Sequence, residues 1–402
     1  MDPSTLDMMR YGLLHVRRSF RKMIAYLTVA LAAALLILPA YTSRQLPPSQ
    51  PVPPSGQEIT LLFIGDIMQH MPQVEAAWNE DKHCFDYDSC FSFVAPLIRN
   101  ADIATANFET TLAGKPYSGY PAFSSPDELV TGILNAGVDI VGTANNHCCD
   151  RGKRGIERTI QILDSLGLKH MGTYSNDEEY RLRNPLIICK KGFRLAFLNY
   201  TYGTNGNPVP RGNVVSLIEK DRMAKDLQAA RDSLPDKIIV FIHWGEEYQR
   251  EPNAFQQETA RFLFENGADY VIGSHPHVIQ PMEWHKPDSA HKENIVVWSL
   301  GNYVSNQRNR YTDGGTMFSL TLKKEYGQTS VKEASYCLTW VYNPLSGGKR
   351  QYYILPAAQY EHDTVIPDKA CSADMKVFLD DSRQLLNGNN AGIHERVTTI
   401  VR

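Results

Sequence analysis

Short aliphatic and β-branched runs alternate with amphipathic stretches from residue 58 onward. ITLLFIGD (59–66), ADIATANFE (101–109), VDIVGTANNH (138–147), FRLAFLNY (193–200), KIIVFIHWGEE (237–247), ADYVIGSHPH (268–277) and ENIVVWSLGN (293–302) each read as a buried strand running into a polar loop. Between them, 156–166, 215–233 and 254–266 show helical spacing, with Gly167 and Gly267 as stop signals. Beyond about residue 315, MFSLTLKK, SYCLTWVYN and QYYILPA have strand character, followed by a predicted helix over 373–386. The alternation predicts an α/β layered domain.

The N-terminus follows another pattern. Residues 23–41 carry no charge, and at about 1.5 Å per residue they reach roughly 28 Å, close to the thickness of a bilayer core. Arg17, Arg18, Arg21 and Lys22 stand directly before this segment and only Arg44 follows closely, which predicts a cytoplasmic basic tail over 1–22 and an extracytoplasmic body. The reading is a transmembrane signal anchor, with a cleaved signal peptide as the alternative. Residues 42–57 are proline-rich and predict an extended linker.

Composition adds that the 402 residues are 43% hydrophobic and 21% charged, the range of folded domains rather than disordered chains. Residues 1–54 carry net +4 and the remainder net −7, which argues against a nucleic-acid binder. The seven cysteines show no CxxC pair. Closure of a small loop by Cys84 and Cys90 is one expectation, and Cys148 and Cys149 are expected to pack as thiols.

Chemistry-bearing side chains concentrate at strand ends. Asp66, Asn107, Glu109, Asn146, His147, His243, Glu246, His275, His277 and Asn302 all fall at or just past the C-terminal end of a predicted strand, where open α/β sheets bind ligands. Imidazoles mixed with carboxylates suit zinc, manganese or iron, whereas calcium takes oxygens alone. No P-loop or dinucleotide fingerprint is present.

In this order, FIGDIM (63–68), ANFETTL (106–112), TANNHCCDRGKRGI (143–156), IHWGEEY (242–248), IGSHPHVIQPME (272–283) and WSLGNYV (298–304) resemble the CapA branch of the calcineurin-like metallophosphoesterase superfamily, the poly-γ-glutamate capsule biosynthesis proteins. The resemblance implies an α/β/β/α sandwich over 58–345 with a C-terminal extension over 346–402. It implies one or two divalent ions (Mn, Zn or Fe) held by Asp66, Glu109, Asn146, His243, His275 and His277, with His147 as the catalytic histidine that protonates a leaving group. A hydrogen-bonded loop histidine is the alternative for His147. Asp150 either orients His147 or caps the following helix, and capping is the expectation taken. Glu246 and Glu247 are either supporting carboxylates or solvated acids, with Glu246 the one favoured for a site role, and Asn302 is a candidate donor that holds substrate. Two departures stand out: Met68 occupies the histidine position of the usual Asp-x-His, and Glu109 stands where an aspartate is usual. His70 is a remote substitute for the missing histidine, with a surface position expected.

The resemblance implies a membrane-anchored protein of poly-γ-glutamate capsule synthesis, export or attachment. Its partners would be an anionic polymer, capsule-synthesis membrane proteins and the membrane itself, with Arg151, Lys153 and Arg154 as a basic patch for the polymer. An exported metal-dependent phosphoesterase acting on a phosphate ester and a non-catalytic polymer-binding protein are the alternatives.

Overall fold

The computed structural model describes residues 56–288, 292–361, 369–390 and 392–397. The expected basic tail, the anchor and nearly all of the linker lie outside the described residues. No helix among the described residues is long and apolar enough to cross a membrane.

Strand β1 (Gln57–Ile67) is apolar on both sides, so it takes a central place. Ile59, Leu61 and Phe63 belong to one core cluster, and the alternate residues Leu62 and Ile64 to another. β1 pairs in parallel with β2 (Ile103–Phe108), which pairs in parallel with β3 (Ile140–Gly142) and through it with Lys169–Met171. A second sheet is built on β4 (Phe193–Thr201), β5 (Lys237–His243) and β6 (Tyr270–Ser274), parallel to one another, with Leu186–Lys190 at one edge and Asn294–Val297 then Met282–His285 at the other. The chain then returns to the first sheet through β7 (Asn302–Val304), parallel to β1, and the long hairpin β8 (Gly314–Glu325) and β9 (Gln328–Tyr342). Tyr353–Pro356 adds an edge strand beside β9.

The two sheets pack face to face. Phe63 of β1, Phe241 of β5 and Phe318 of β8 meet there, with ring centroids 6.5 and 6.2 Å from Phe63. Helix α1 (Glu128–Ala136) covers the outer face of the first sheet with Leu129, Val130 and Ile133, and α2 (Gly152–Leu166) adds Leu163. Helices α3 (Lys220–Asp232) and α4 (Ala254–Glu265) cover the second with Met223, Leu227 and Leu263. The layering is therefore α/β/β/α. Helix α5 (Lys369–Asn389) contains the predicted 373–386 and inserts Met375, Phe378, Leu379 and Leu386 into the inter-sheet core.

Three expectations need correction. The helix expected over 215–233 begins only at Lys220, because the β-branched Val214 and Val215 pair with Tyr174 and Thr173 as a short ladder. The strand expected over 293–302 is two strands in different sheets, Asn294–Val297 and β7. The chain crosses between them through Gly301, whose φ of 74° lies in the region open to glycine. Gly65 of β1 passes so close to this crossing that a Cβ there would collide with the Gly301 carbonyl oxygen. Finally, Cys84 and Cys90 are both free thiols rather than a closed loop. Cys90 is buried beside Phe91 and Tyr87 in the core beneath the first sheet. Cys148 and Cys149 pack against Ala144, Ile156 and Ile160 as expected.

Candidate metal centre

The C-terminal ends of β1, β2, β5 and β6 and the loop after β3 meet at one point. The register of β1 against β2 jumps from Ile64↔Ala106 to Asp66↔Asn107, an irregularity that sets Asp66 and Asn107 side by side. Asn107 Nδ2 donates to Asp66 Oδ1 at 2.8 Å and to Glu109 Oε2 at 3.1 Å, and lies 3.3 Å from His243 Nδ1. Asp66, Asn107 and Glu109 are fully buried. Burial, and then the Asp66 charge, push the Glu109 carboxyl well above the usual carboxylate range. Glu109 Oε1 has no hydrogen-bond partner.

The second sheet supplies the imidazoles. His243, the last residue of β5, places Nδ1 3.0 Å from Ser274 Oγ and Nε2 2.9 Å from Asn146 Oδ1. His277 Nδ1 lies 3.1 Å from Asp66 Oδ2, a contact between the sheets. His275 and His277 both adopt left-handed backbone, with φ of 101° and 58°, strain that the surrounding fold must hold. Tyr248 N donates to Pro276 O at 2.8 Å and steadies this turn. Burial, reinforced by the neighbouring imidazoles, lowers His243 and His275 well below the ordinary histidine range, which keeps them in the neutral form that ligates metal.

These donors fit a divalent ion. Glu109 Oε1 lies 3.7 Å from His243 Nε2 and 3.8 Å from His277 Nε2. Ligand atoms about 2.1 Å from a tetrahedral ion stand about 3.4 Å from one another, so only a small contraction is required. Donor atoms of Glu109, His243 and His275 lie within 4.8 Å of one another, as do those of Asp66, Glu109 and His277. Asn146 brings its amide oxygen to the same point through His243. All six sequence-derived ligand candidates therefore converge. Met68, two residues after Asp66, is buried and contributes only a thioether.

His147 stands beside this cluster. Its Nδ1 is 2.7 Å from Asp150 Oδ2, which also accepts from Phe123 N at 2.8 Å, and the Phe123 ring lies edge-on at 4.6 Å. The expected capping role of Asp150 is not what the structure shows. The cap position of α2 is Arg151, without a side-chain bond, and the Asp150 carboxylate is spent on His147. Asn145 fixes the same loop, accepting from His147 N and donating to Phe108 O.

Over residues 60–307 the sequence matches the family described as Bacterial capsule synthesis protein PGA_cap. The chain belongs to this family. It is 27% identical to the capsule biosynthesis protein CapA of Bacillus anthracis, over 73% of this chain and 72% of that one. It is likewise 27% identical to the PGA biosynthesis protein CapA of Bacillus subtilis, over 67% and 69%. Among solved structures it is similar to the calcineurin-like phosphoesterase YfkN of Bacillus subtilis, with a TM-score of 0.40 at 12% identity over 82% of this chain and 98% of that one. All of the strand-end residues lie inside the span matched to PGA_cap.

Other sequence-derived candidates separate from the cluster. Asn302 pairs in register with Asp66, but its amide nitrogen is committed to Gln307 Oε1 and Thr312 O, so it is not a free donor for substrate. Glu246 is exposed, and it is the next residue, Glu247, whose carboxylate reaches the His275 and His277 donors. His70 is half-buried rather than a surface residue, with Nδ1 facing Gln73 and its ring against Phe123. Lys153 pairs with Glu157, and Arg151 reaches Ser118. Sequence reasoning places Asn107 among the strand-end candidates without a specific role, and gives none to Asn145 or Tyr202. Asn107 carried the available signal, a polar residue at the end of an apolar strand; Tyr202, whose ring lies 4.6 Å from that of His275, carried none.

Proposed function

We propose that this PGA_cap protein is a metal-dependent protein of capsule-polymer assembly, acting on an anionic polymer of the poly-γ-glutamate class. In this reading residues 23–41 anchor it in the membrane, the body works outside the cell, and capsule-synthesis membrane proteins are its partners. The observation that carries the reading is the burial of two carboxylates and three imidazoles at the junction of the two sheets, in a member of this family. Burying like-charged carboxylates with no cationic side chain among them is costly, and a cation offsets that cost.

Asp66, Glu109, Asn146, His243, His275 and His277 would hold the metal, which when bound polarises an acyl or phosphoryl oxygen. Asn107 keeps the two carboxylates in place through its two N–H bonds. His147, its Nδ1 taken by Asp150, is left with Nε2 to give a proton to a departing nitrogen or oxygen. Asp150 fixes the ring orientation that this transfer needs.

The test joins metal analysis of the full-length chain, purified in detergent, with a panel of γ-glutamyl polymers and phosphodiesters. The expected result is one or two bound divalent ions, action on the γ-glutamyl polymer, and altered surface polymer on gene deletion. Metal-free protein whose stability is unmoved by manganese or zinc would overturn the metal reading. Phosphodiester hydrolysis with unchanged surface polymer would replace the polymer reading with that of a phosphoesterase.

A further inference from the structure

Two segments that leave the metal centre meet beside one cleft. After β5 the chain turns at Gly245, with φ of 90°, passes Tyr248, whose ring lies 6.2 Å from that of His277, and reaches Arg250. After β7 it reaches Arg308, Arg310 and Tyr311 and then folds back: Asn302, in register with Asp66, donates to Thr312 O at 2.8 Å. The Tyr311 ring carries the Arg250 guanidinium 4.2 Å from its centre and that of Arg310 at 5.0 Å, a cation–π stack. Asp381 of α5 ties both. Its carboxylate accepts two bonds of 2.8 Å from Arg310, and its carbonyl one of 2.7 Å from Arg250.

Arg310 and Tyr311 border a cleft of about 390 Å³, a volume within the range of small-molecule sites. The buried Trp340 and Phe378 and the exposed Val377 give it an apolar wall. Arg308 and Arg350 also line it, and their charge is unmatched. Arg308 donates twice to Val341 O at 2.9 Å and Arg350 once to Asn343 O at 2.9 Å, and among the described residues neither pairs with a carboxylate. A guanidinium has five N–H groups, so donors remain on both. Of the three carboxylates that line the cleft, Asp381 is taken by Arg310, and Asp313 accepts from Trp340 Nε1 at 2.7 Å.

We propose that this cleft is a binding site for carboxylates of the anionic polymer, separate from the metal centre. This rests on the polymer reading given above. Residues 55–402 carry net −7, so a polyanion must be held where the cations gather. A guanidinium offers parallel N–H groups to both oxygens of a carboxylate, which Arg308 and Arg350 have free to give. The apolar wall suits the methylene groups that separate successive carboxylates of a γ-glutamyl chain. Through Asn302 the loop that carries Arg308 and Tyr311 is fastened beside Asp66. A polymer held in the cleft therefore has its next stretch near the metal centre, which raises its effective concentration there.

The test is fluorescence anisotropy of a fluorescein-labelled γ-linked glutamate oligomer with the full-length chain in detergent, first chelated and then loaded with manganese. Chelated wild type is expected to bind the oligomer. Arg350→Gln, on an exposed hairpin, and Arg308→Gln should each weaken binding at least about tenfold while manganese content stays that of wild type. Arg261→Gln, exposed on α4, removes the same charge elsewhere and should match wild type. The inference is overturned if neither cleft variant weakens binding, if Arg261→Gln weakens it equally, or if a labelled phosphodiester oligomer binds more tightly through the same two arginines. Binding that neither cleft arginine changes removes the cleft site and leaves the proposed function standing. A wild-type chain that binds no γ-linked oligomer, chelated or loaded, removes both.

Discussion

His147 Nδ1 and Asp150 Oδ2 lie 2.7 Å apart, with the two side chains 3% and 1% exposed. A buried carboxylate at that distance fixes the ring and stabilises the imidazolium that proton transfer creates. On the polymer substrate, His147→Ala should lower kcat by about 10²- to 10⁴-fold while bound metal is unchanged. Asp150→Asn should cause a partial loss in the same direction. Wild-type turnover in His147→Ala would remove the proton-transfer role.

Asn107 separates Asp66 from Glu109, and a change there should act with opposite signs on the two states of the centre. Asn107→Asp replaces a donor to both carboxylates with a third negative charge. The chelated variant should be less stable than wild type by about 1–3 kcal/mol, yet bind Mn²⁺ more tightly. Thermal melts with and without the ion read both effects. A variant destabilised in both conditions would show that Asn107 serves packing alone.

Acid should weaken the chelated protein. Burial holds His170, His243 and His275 below the ordinary range, so near pH 6 the unfolded chain binds protons that the folded chain refuses. The stability these groups give is present above their unfolded value near 6.5 and is lost as pH falls from there toward their lowered folded values. Each adds up to about 1.4 kcal/mol per pH unit, and Glu109, whose raised carboxyl takes up a proton in the folded chain as pH falls, offsets part of the sum. Urea midpoints at pH 7.5 and 5.5 should differ accordingly, and His170→Asn should flatten the profile by the share of one imidazole. Equal midpoints at the two pH values would refute this.

Gly65→Ala should cost about 3 kcal/mol, the upper range for overpacking, because its Cβ meets backbone at Gly301 rather than a flexible side chain. Since Asp66 N donates to Gly301 O at 3.0 Å, the variant should also bind metal less tightly. Gly203→Ala, where nothing lies within 4 Å of the added carbon, is the matched control. Equal denaturation midpoints for the two variants would contradict the steric argument.

Much of this arrangement was legible in the sequence. A histidine or acid that ends a wholly apolar run has no packing reason to be there, which is why Asp66, His243, His275 and His277 stood out. The α/β class followed from apolar strands alternating with amphipathic helices, and the four-layer sandwich from the family resemblance. What escaped were relationships set by backbone approach. The split of 293–302 depends on how closely Gly65 and Gly301 pass, and Asp150 is a helix cap or a histidine partner according to where one loop bends. Glu247 rather than Glu246 reaches the imidazoles because of the turn at Gly245, a choice that two identical adjacent residues cannot encode.

β1 starts at Gln57 and delivers Asp66 at its other end, about 30 Å away at the usual rise of a strand. The sandwich therefore has a back, where the chain enters, and a front, where the carboxylates and imidazoles gather. Because one continuous strand joins Gln57 to Asp66, the donor cluster opens at the end of the sandwich away from where that strand begins.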